Sequence, residues 1–153
     1  MRALWLTAWL LLAAFAIVPS RPTARAARIP IAVIAHASTK VTTVHVNELR
    51  AVFLRQTEQL GGQRVIPVNQ PTNNPLRMEF DARVLGMTPD EIGRYWVDAR
   101  IRGGGAPPRT VSNPQLLVRT VAALPGAIGY APASMVAGMP VRIMKVTGLS
   151  QSL

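Results

Sequence analysis

The chain contains no cysteine, which rules out a disulfide scaffold, a thiol nucleophile and a thiolate metal site. Histidine is scarce as well. His36 and His45 are the two present, and no carboxylate stands at ligand spacing from either, so no metal site is expected. The acids number 7 against 17 Lys and Arg, and they do not pair in a way that suggests general acid/base work. No serine–histidine–acid order is present either. No cofactor and no enzymatic activity are expected. The cations form no run, which argues against a nucleic-acid partner. Gly103-Gly104-Gly105 lacks the lysine and following Ser or Thr of a phosphate loop, so no nucleotide reading follows from it.

What is present begins with an apolar run from Ala3 to Val18, preceded by Arg2 and followed by Pro19-Ser20-Arg21-Pro22. Ala24 and Ala26 then supply the small residues a signal peptidase reads. This order describes a secretory signal peptide over residues 1–26, with a retained membrane anchor as the alternative. The expected location is periplasmic or secreted. Removing Arg2, Arg21 and Arg25 from the 17 cations leaves 14 against 7 acids, a formal +7. Such a balance favours encounter with anions, an anionic membrane or an acidic partner. Residues 27–147 are long enough for one domain with one modest core, and 148–153 form a tail.

Ile29 to Ala35 is short, β-branched and nearly all apolar, as a strand covered on both faces requires. The loop His36-Ala37-Ser38-Thr39-Lys40 follows. Val46 to Leu54 has a helical stripe through Val46, Leu49, Val52 and Phe53, with His45 at its start. Gly61-Gly62 turns the chain into a second strand, Arg64 to Asn69. A further helix carries Leu76, Phe80 and Val84 at intervals of four, leaving Arg77, Glu79, Asp81 and Arg83 for the outer surface. Thr88-Pro89-Asp90-Glu91 is a capping box with proline at the first helical position, predicting a helix to Ile101 with Ile92, Tyr95, Trp96 and Ala99 inward. Ser112 and Gln115 repeat the arrangement for a helix from Asn113 to Leu124, packed through Leu116, Leu117, Val121 and Leu124. Pro125-Gly126 stops it. Ala127 to Tyr130 is a very short strand, and Val141 to Val146 an edge strand guarded by Arg142 and Lys145. The order is β-α-β-α-α-α-β-β, a small α/β domain.

The stretch around which this order turns is Arg64 to Leu85. Its polar turn, Gln70-Pro71-Thr72-Asn73-Asn74-Pro75, places hydroxyl, amide and backbone N–H groups before a helix. Thr72 or Asn73 either caps that helix or helps to hold an anion. Arg77, unfavourable beside the positive end of the dipole, either faces an anion or pairs with Glu79 or Asp81. His36 either donates to an anion or is a solvated loop residue.

Val46 to Leu54, the strand and turn to Asn74, the helix containing Phe80 and the closing Leu124-Pro125-Gly126-Ala127-Ile128-Gly129-Tyr130 together resemble the second lobe of phosphate-binding proteins of ABC transporters. Pro107-Pro108 followed by Val111 and Ser112 matches as well. The resemblance covers about Pro30 to Val146. It implies an α/β fold equivalent to one lobe of a type 2 periplasmic binding protein, a small mixed sheet flanked by helices. It also implies phosphate or another oxyanion as ligand, and a membrane transporter or envelope protein as partner. The family holds phosphate between two lobes, and this chain has room for approximately one. A homodimer would complete the cleft. The serine–glycine–threonine triplet of the family's phosphate loop is replaced here, so the implied anion site narrows to Thr72, Asn73, Asn74 and Arg77, with Ser38 and Thr39 as weaker members. One lobe alone implies weak binding; a scaffold or interaction module of an envelope complex is the alternative.

Overall fold

The structure, a computed structural model, describes residues 29–149. The signal peptide expected over residues 1–26, and residues 150–153 of the tail expected over 148–153, lie outside the described residues. In chain order the elements are β1 (Ile31–His36), β2 (Thr43–His45), α1 (Val46–Phe53), β3 (Gln59–Leu60), β4 (Gln63–Arg64) and β5 (Ile66–Asn69). There follow α2 (Pro75–Phe80), continued by a π-helical turn Asp81–Leu85, then α3 (Pro89–Ile101), β6 (Arg109–Thr110), α4 (Pro114–Ala123) and β7 (Ala127–Pro132). A 3-10 turn (Ala133–Met135) and β8 (Val141–Thr147) close the chain. The longer elements keep the expected order. Four short strands, β2, β3, β4 and β6, were not legible, because two or three residues carry no periodicity.

The main sheet has six strands in the order β2-β8-β1-β7-β5-β6. β1 is antiparallel to both neighbours, whereas β2 with β8, and β5 with β6 and β7, pair in parallel. The sheet is therefore mixed. One expectation fails here: β8 is not an edge strand. It lies between β2 and β1, with Val33 opposite Met144 and Val44 opposite Val146, so Arg142 and Lys145 guard no open edge. The three-residue β2 supplies that edge, too short to be read from sequence.

Alternation along the strands divides the core in two. Ala32 and Ile34 of β1, with Ala127 and Ala131 of β7, face Leu117, Val118 and Val121 of α4. Val33 and Ala35, with Ile128 and Tyr130, face the other way, onto Leu49, Val52 and Phe53 of α1 and Leu76, Phe80, Val84 and Leu85 of the α2–π segment. Gly129 allows the α4 layer to approach: a Cβ there would lie 2.6 Å from Leu117 Cδ2. The architecture is helix, sheet and helices, in three layers.

Helix starts follow their caps. His45 is the N-cap of α1, its Nδ1 accepting from Asn47 N–H at 3.2 Å while Glu48 accepts from His45 N–H at 3.0 Å. Thr88 and Glu91 form the expected capping box, and α3 has the predicted bounds. In α4 the cap is Asn113, not Ser112: Asn113 Oδ1 accepts from Leu116 N–H at 2.8 Å. The helix ends at Ala123, with Leu124 its extended C-cap. The inward face runs through Leu117, Val118 and Val121, so Leu116 and Leu124 are exposed and Val118 takes a core position. On α3 only Ile92 is fully buried; Tyr95, Trp96 and Ala99 are half-buried.

Candidate functional site

β5 ends at Asn69, and the turn expected to hold an anion follows directly. Asn74 is spent on the helix itself, its Oδ1 accepting from Leu76 N–H at 2.8 Å as the N-cap of α2. Thr72 and Asn73 are exposed. Behind them lies a polar cluster that the sequence pattern assigned to the surface. Arg77 and Asp81 are only 5% and 4% exposed. Arg77 Nε donates to Asp81 Oδ2 at 2.5 Å, and Nη1 donates to the Gln70 carbonyl at 3.1 Å. The salt-bridge alternative for Arg77 is thus the one the structure adopts, with Asp81 as partner.

Both residues are buried because two adjacent helical stripes, not one, face inward. Leu76, Phe80 and Val84 form the apolar stripe; Arg77 and Asp81 form the neighbouring one, one turn apart. The helix widens into its π turn at Asp81, which brings Val84 and Leu85 inward together. Gly86, at φ 63°, ends it in the left-handed conformation.

The cluster extends into the sheet. Tyr130 Oη donates to Asn69 Oδ1 at 2.5 Å, and that same oxygen accepts from Gln70 N–H at 3.1 Å. Gln70 Nε2 donates to the Tyr130 carbonyl at 3.3 Å. The Tyr130 ring stacks on Phe80, with centroids 3.8 Å apart and planes 5° from parallel, and Phe53 tilts against both. Burial pushes the Tyr130 phenol above the usual tyrosine range and holds it neutral. Asp81 is also raised: desolvation outweighs the lowering by the Arg77 charge and its hydrogen bond. Gln70 Oε1 and Asp81 Oδ1 are buried with no hydrogen-bond partner among the described residues. Sequence reasoning missed Asn69, Gln70 and Tyr130 as members of this set, since nothing local to each announces contacts some sixty residues away. The i, i+4 spacing of Arg77 and Asp81 was the one local signal.

Ser38 and Thr39 lie elsewhere. Ala35 and Pro67 both flank Ile128 in the sheet, and from that row β1 runs toward Ser38 while β5 runs the opposite way toward Gln70. The two loops therefore leave opposite ends of the sheet, separated by roughly 16 Å or more at about 3.3 Å per residue. Ser38 and Thr39 instead line a separate cleft of about 240 Å³ with Gln63, Arg64, Val65 and Gly126. There Ser38 Oγ lies 2.7 Å from His36 Nδ1, and Arg64 is paired with Glu58 at 2.9 Å. The structure brings Thr72, Asn73, Asn74 and Arg77 into one neighbourhood and leaves Ser38 and Thr39 out of it.

No protein-family model and no curated protein matches the chain. Solved structures do. The chain is similar to a Clostridium perfringens protein assigned as a phosphate ABC transporter substrate-binding protein and solved with bound phosphate, at 20% identity and a TM-score of 0.63, over 78% of this chain and 46% of that one. An ABC-type phosphate transport receptor from Vibrio cholerae matches at 15% identity and TM-score 0.61, over 80% and 48%. PstS from Borrelia burgdorferi matches at 14% and 0.60, over 80% and 49%. The single mixed α/β domain resembles one lobe of a periplasmic-binding-protein-like fold. The chain spans about half the length of the structures it matches. At these identities the likeness establishes the architecture. Among the described residues no helix is long and apolar enough to cross a membrane.

Proposed function

We propose that this chain is a non-catalytic, solute-binding-type lobe of an extracytoplasmic oxyanion-transport system that works by docking on a membrane transporter or envelope protein. The observation that carries this reading is the state of Arg77. Its guanidinium is committed to Asp81 and to the Gln70 carbonyl inside the fold, so the charge an anion would need is already neutralised. The likeness to phosphate transport receptors supports the transport setting. With Asn74 committed to capping, Thr72 and Asn73 remain to meet a ligand. Hydrogen bonds to a charged oxyanion contribute about 1.5–3 kcal/mol each when well made, while millimolar affinity already requires about 4 kcal/mol and micromolar about 8 kcal/mol. Two such side chains in contact with water reach the millimolar scale at best and fall short of micromolar affinity.

A second reading keeps weak oxyanion binding at the turn, made useful when a second copy completes a cleft. The exposure of Thr72 and Asn73 directly before α2 favours it. Calorimetric titration with phosphate at low salt separates the two. No saturable heat below millimolar phosphate agrees with the docking lobe. Micromolar binding that disappears in Thr72→Ala/Asn73→Ala would overturn it in favour of the receptor.

A further inference from the structure

The side of α3 turned away from the core carries a pattern that no other described element uses. Val97 and Ile101 are 59% and 78% exposed, one turn apart, and Gly93 lies one turn before Val97 on the same stripe. Glycine inside a helix is destabilising relative to alanine, and no internal packing requires it here: a Cβ at Gly93 would meet nothing within 4 Å. Val97 forms the ridge between two grooves. Gly93, Arg94 and Asp98 line one of them, and Trp96, Arg100 and Ile101 the other. The charges along the helix balance, Asp90, Glu91 and Asp98 against Arg94, Arg100 and Arg102, so the face calls for no partner of a single sign. Glu91 is held by the Thr88 cap and also feels the Arg94 charge. Arg94, Asp98 and Arg100 are exposed and form no ion pair with another described residue.

We propose that this face of α3 joins two copies of the chain, helix against helix, antiparallel about a two-fold axis at Val97. The pattern is complementary to its own reversal. Such an axis sets residues equally spaced before and after position 97 opposite one another, and keeps each flank of the stripe against the same flank of the copy. Ile101 then lies level with Gly93 of the second copy, where the missing side chain leaves room for it. Arg94 meets Asp98 of the second copy with an offset of about 3 Å along the helix, and Asp98 meets Arg94 in return. On the other flank Arg100 reaches Trp96 of the second copy at the same offset, a cation over an indole face. A parallel pairing would set Gly93 against Gly93 and the Arg94 flank against the Arg100 flank, losing both fits. The contact is one helix of 13 residues, about 20 Å long. That is the small end of specific interfaces, so the dimer is a weak, reversible one. The inference goes beyond the reading of the Gln70–Asn74 turn and does not rest on it, since α3's outer side shares no residue with that cluster and the test involves no phosphate.

The test uses protein produced without residues 1–26, which keeps every described strand and helix and both core clusters, and removes the apolar leader as a source of self-association. Sedimentation equilibrium over a series of concentrations up to the millimolar range should show a reversible monomer–dimer equilibrium. Gly93→Leu adds apolar surface to the face, yet should weaken the dimer roughly tenfold or more, because the new side chain takes the space into which Ile101 of the second copy fits. Arg94→Asp and Asp98→Arg should each weaken it several-fold by setting like charges together. Arg94→Asp/Asp98→Arg should restore it, since the two signs are merely exchanged. The chain has no cysteine of its own, so Val97→Cys introduces a single thiol on the proposed axis. It should give a disulfide-linked dimer on mild oxidation, which Leu116→Cys, exposed on α4, should not. Circular dichroism melts confirm that the variants fold. A protein that stays monomeric at every concentration overturns the proposal. So does an association that Gly93→Leu leaves unchanged or strengthens, a charge-exchanged double variant no tighter than the single ones, or equal cross-linking through positions 97 and 116.

Discussion

Arg77 Nε lies 2.5 Å from Asp81 Oδ2, both side chains buried, one turn apart on the helix that follows the Gln70–Asn74 turn. The pair ties three levels together: the helix register, the end of β5 through the Gln70 carbonyl, and the aromatic stack through Tyr130.

Breaking that pair from one side should be costly. Arg77→Met leaves Asp81 buried without its cation, a loss of about 3–5 kcal/mol. Arg77→Met/Asp81→Leu should lose markedly less, because no unpaired charge remains. Urea denaturation of the three proteins checks this. The pH dependence has a definite sign. Burial already raises the Asp81 pKa above its unfolded value, and removing Arg77 removes the group that opposes the rise. A raised carboxyl takes up its proton in the folded state first, so stability increases as pH falls through the folded pKa and levels off below the unfolded one. Arg77→Met should therefore be weakest at neutral pH and recover toward the ordinary carboxylate range.

Gly129→Ala tests the closeness of the α4 layer. The new Cβ would sit 2.6 Å from Leu117 Cδ2 and 3.3 Å from Val121 Cγ2, so side chains in a filled core must move. The expected cost is about 1–3 kcal/mol. Leu117→Ala alone is destabilising through its cavity, yet in combination it opens space for the methyl introduced at position 129. The double variant should accordingly be more stable than additivity requires, as a thermal-melt double-mutant cycle would show.

The fold was legible where one element carries its own signal. The Thr88 cap, His45 at the start of its helix and the continuous apolar, β-branched run of β1 did so. The β5–turn–α2 stretch announced itself as well, though not how it is held. Val141 to Val146 looked like an edge because its neighbour, Thr43–His45, is three residues long and invisible to any period. Arg77 looked exposed because one apolar stripe accounts for Leu76, Phe80 and Val84; that a second, polar stripe is also buried depends on Gln70 and Tyr130, which no local pattern brings to it. The separation of Ser38 from Thr72 is likewise a matter of strand direction, which side-chain chemistry does not encode.

The Thr88 cap offers a titratable check on α3. Thr88→Ala should cost about 1 kcal/mol, as loss of an N-cap usually does. Glu91 adds a pH signature. Its hydrogen bonds from Thr88 hold its carboxyl below the ordinary value. A lowered folded pKa gives stability that is present above the unfolded pKa and lost as pH falls through the folded one. Glu91→Gln should abolish that acid-side loss, leaving a flatter melting temperature between neutral pH and the low end of the carboxylate range.

The turn itself distinguishes capping from ligand binding residue by residue. Asn74→Ala removes the bond to Leu76 N–H and should cost about 1 kcal/mol. Thr72→Ala/Asn73→Ala touches exposed side chains and should stay within about 0.5 kcal/mol of the parent. Thermal melts with and without millimolar phosphate then test what the exposed pair is for. A ligand that binds the folded state raises the melting temperature in proportion to its occupancy. With Arg77 neutralised inside the fold, phosphate should leave the parent and the Thr72/Asn73 variant at the same temperature. A rise in the parent that the variant lacks would show that two neutral side chains and the backbone of the turn suffice to hold an oxyanion without a free cation, and would favour the receptor reading over the docking lobe.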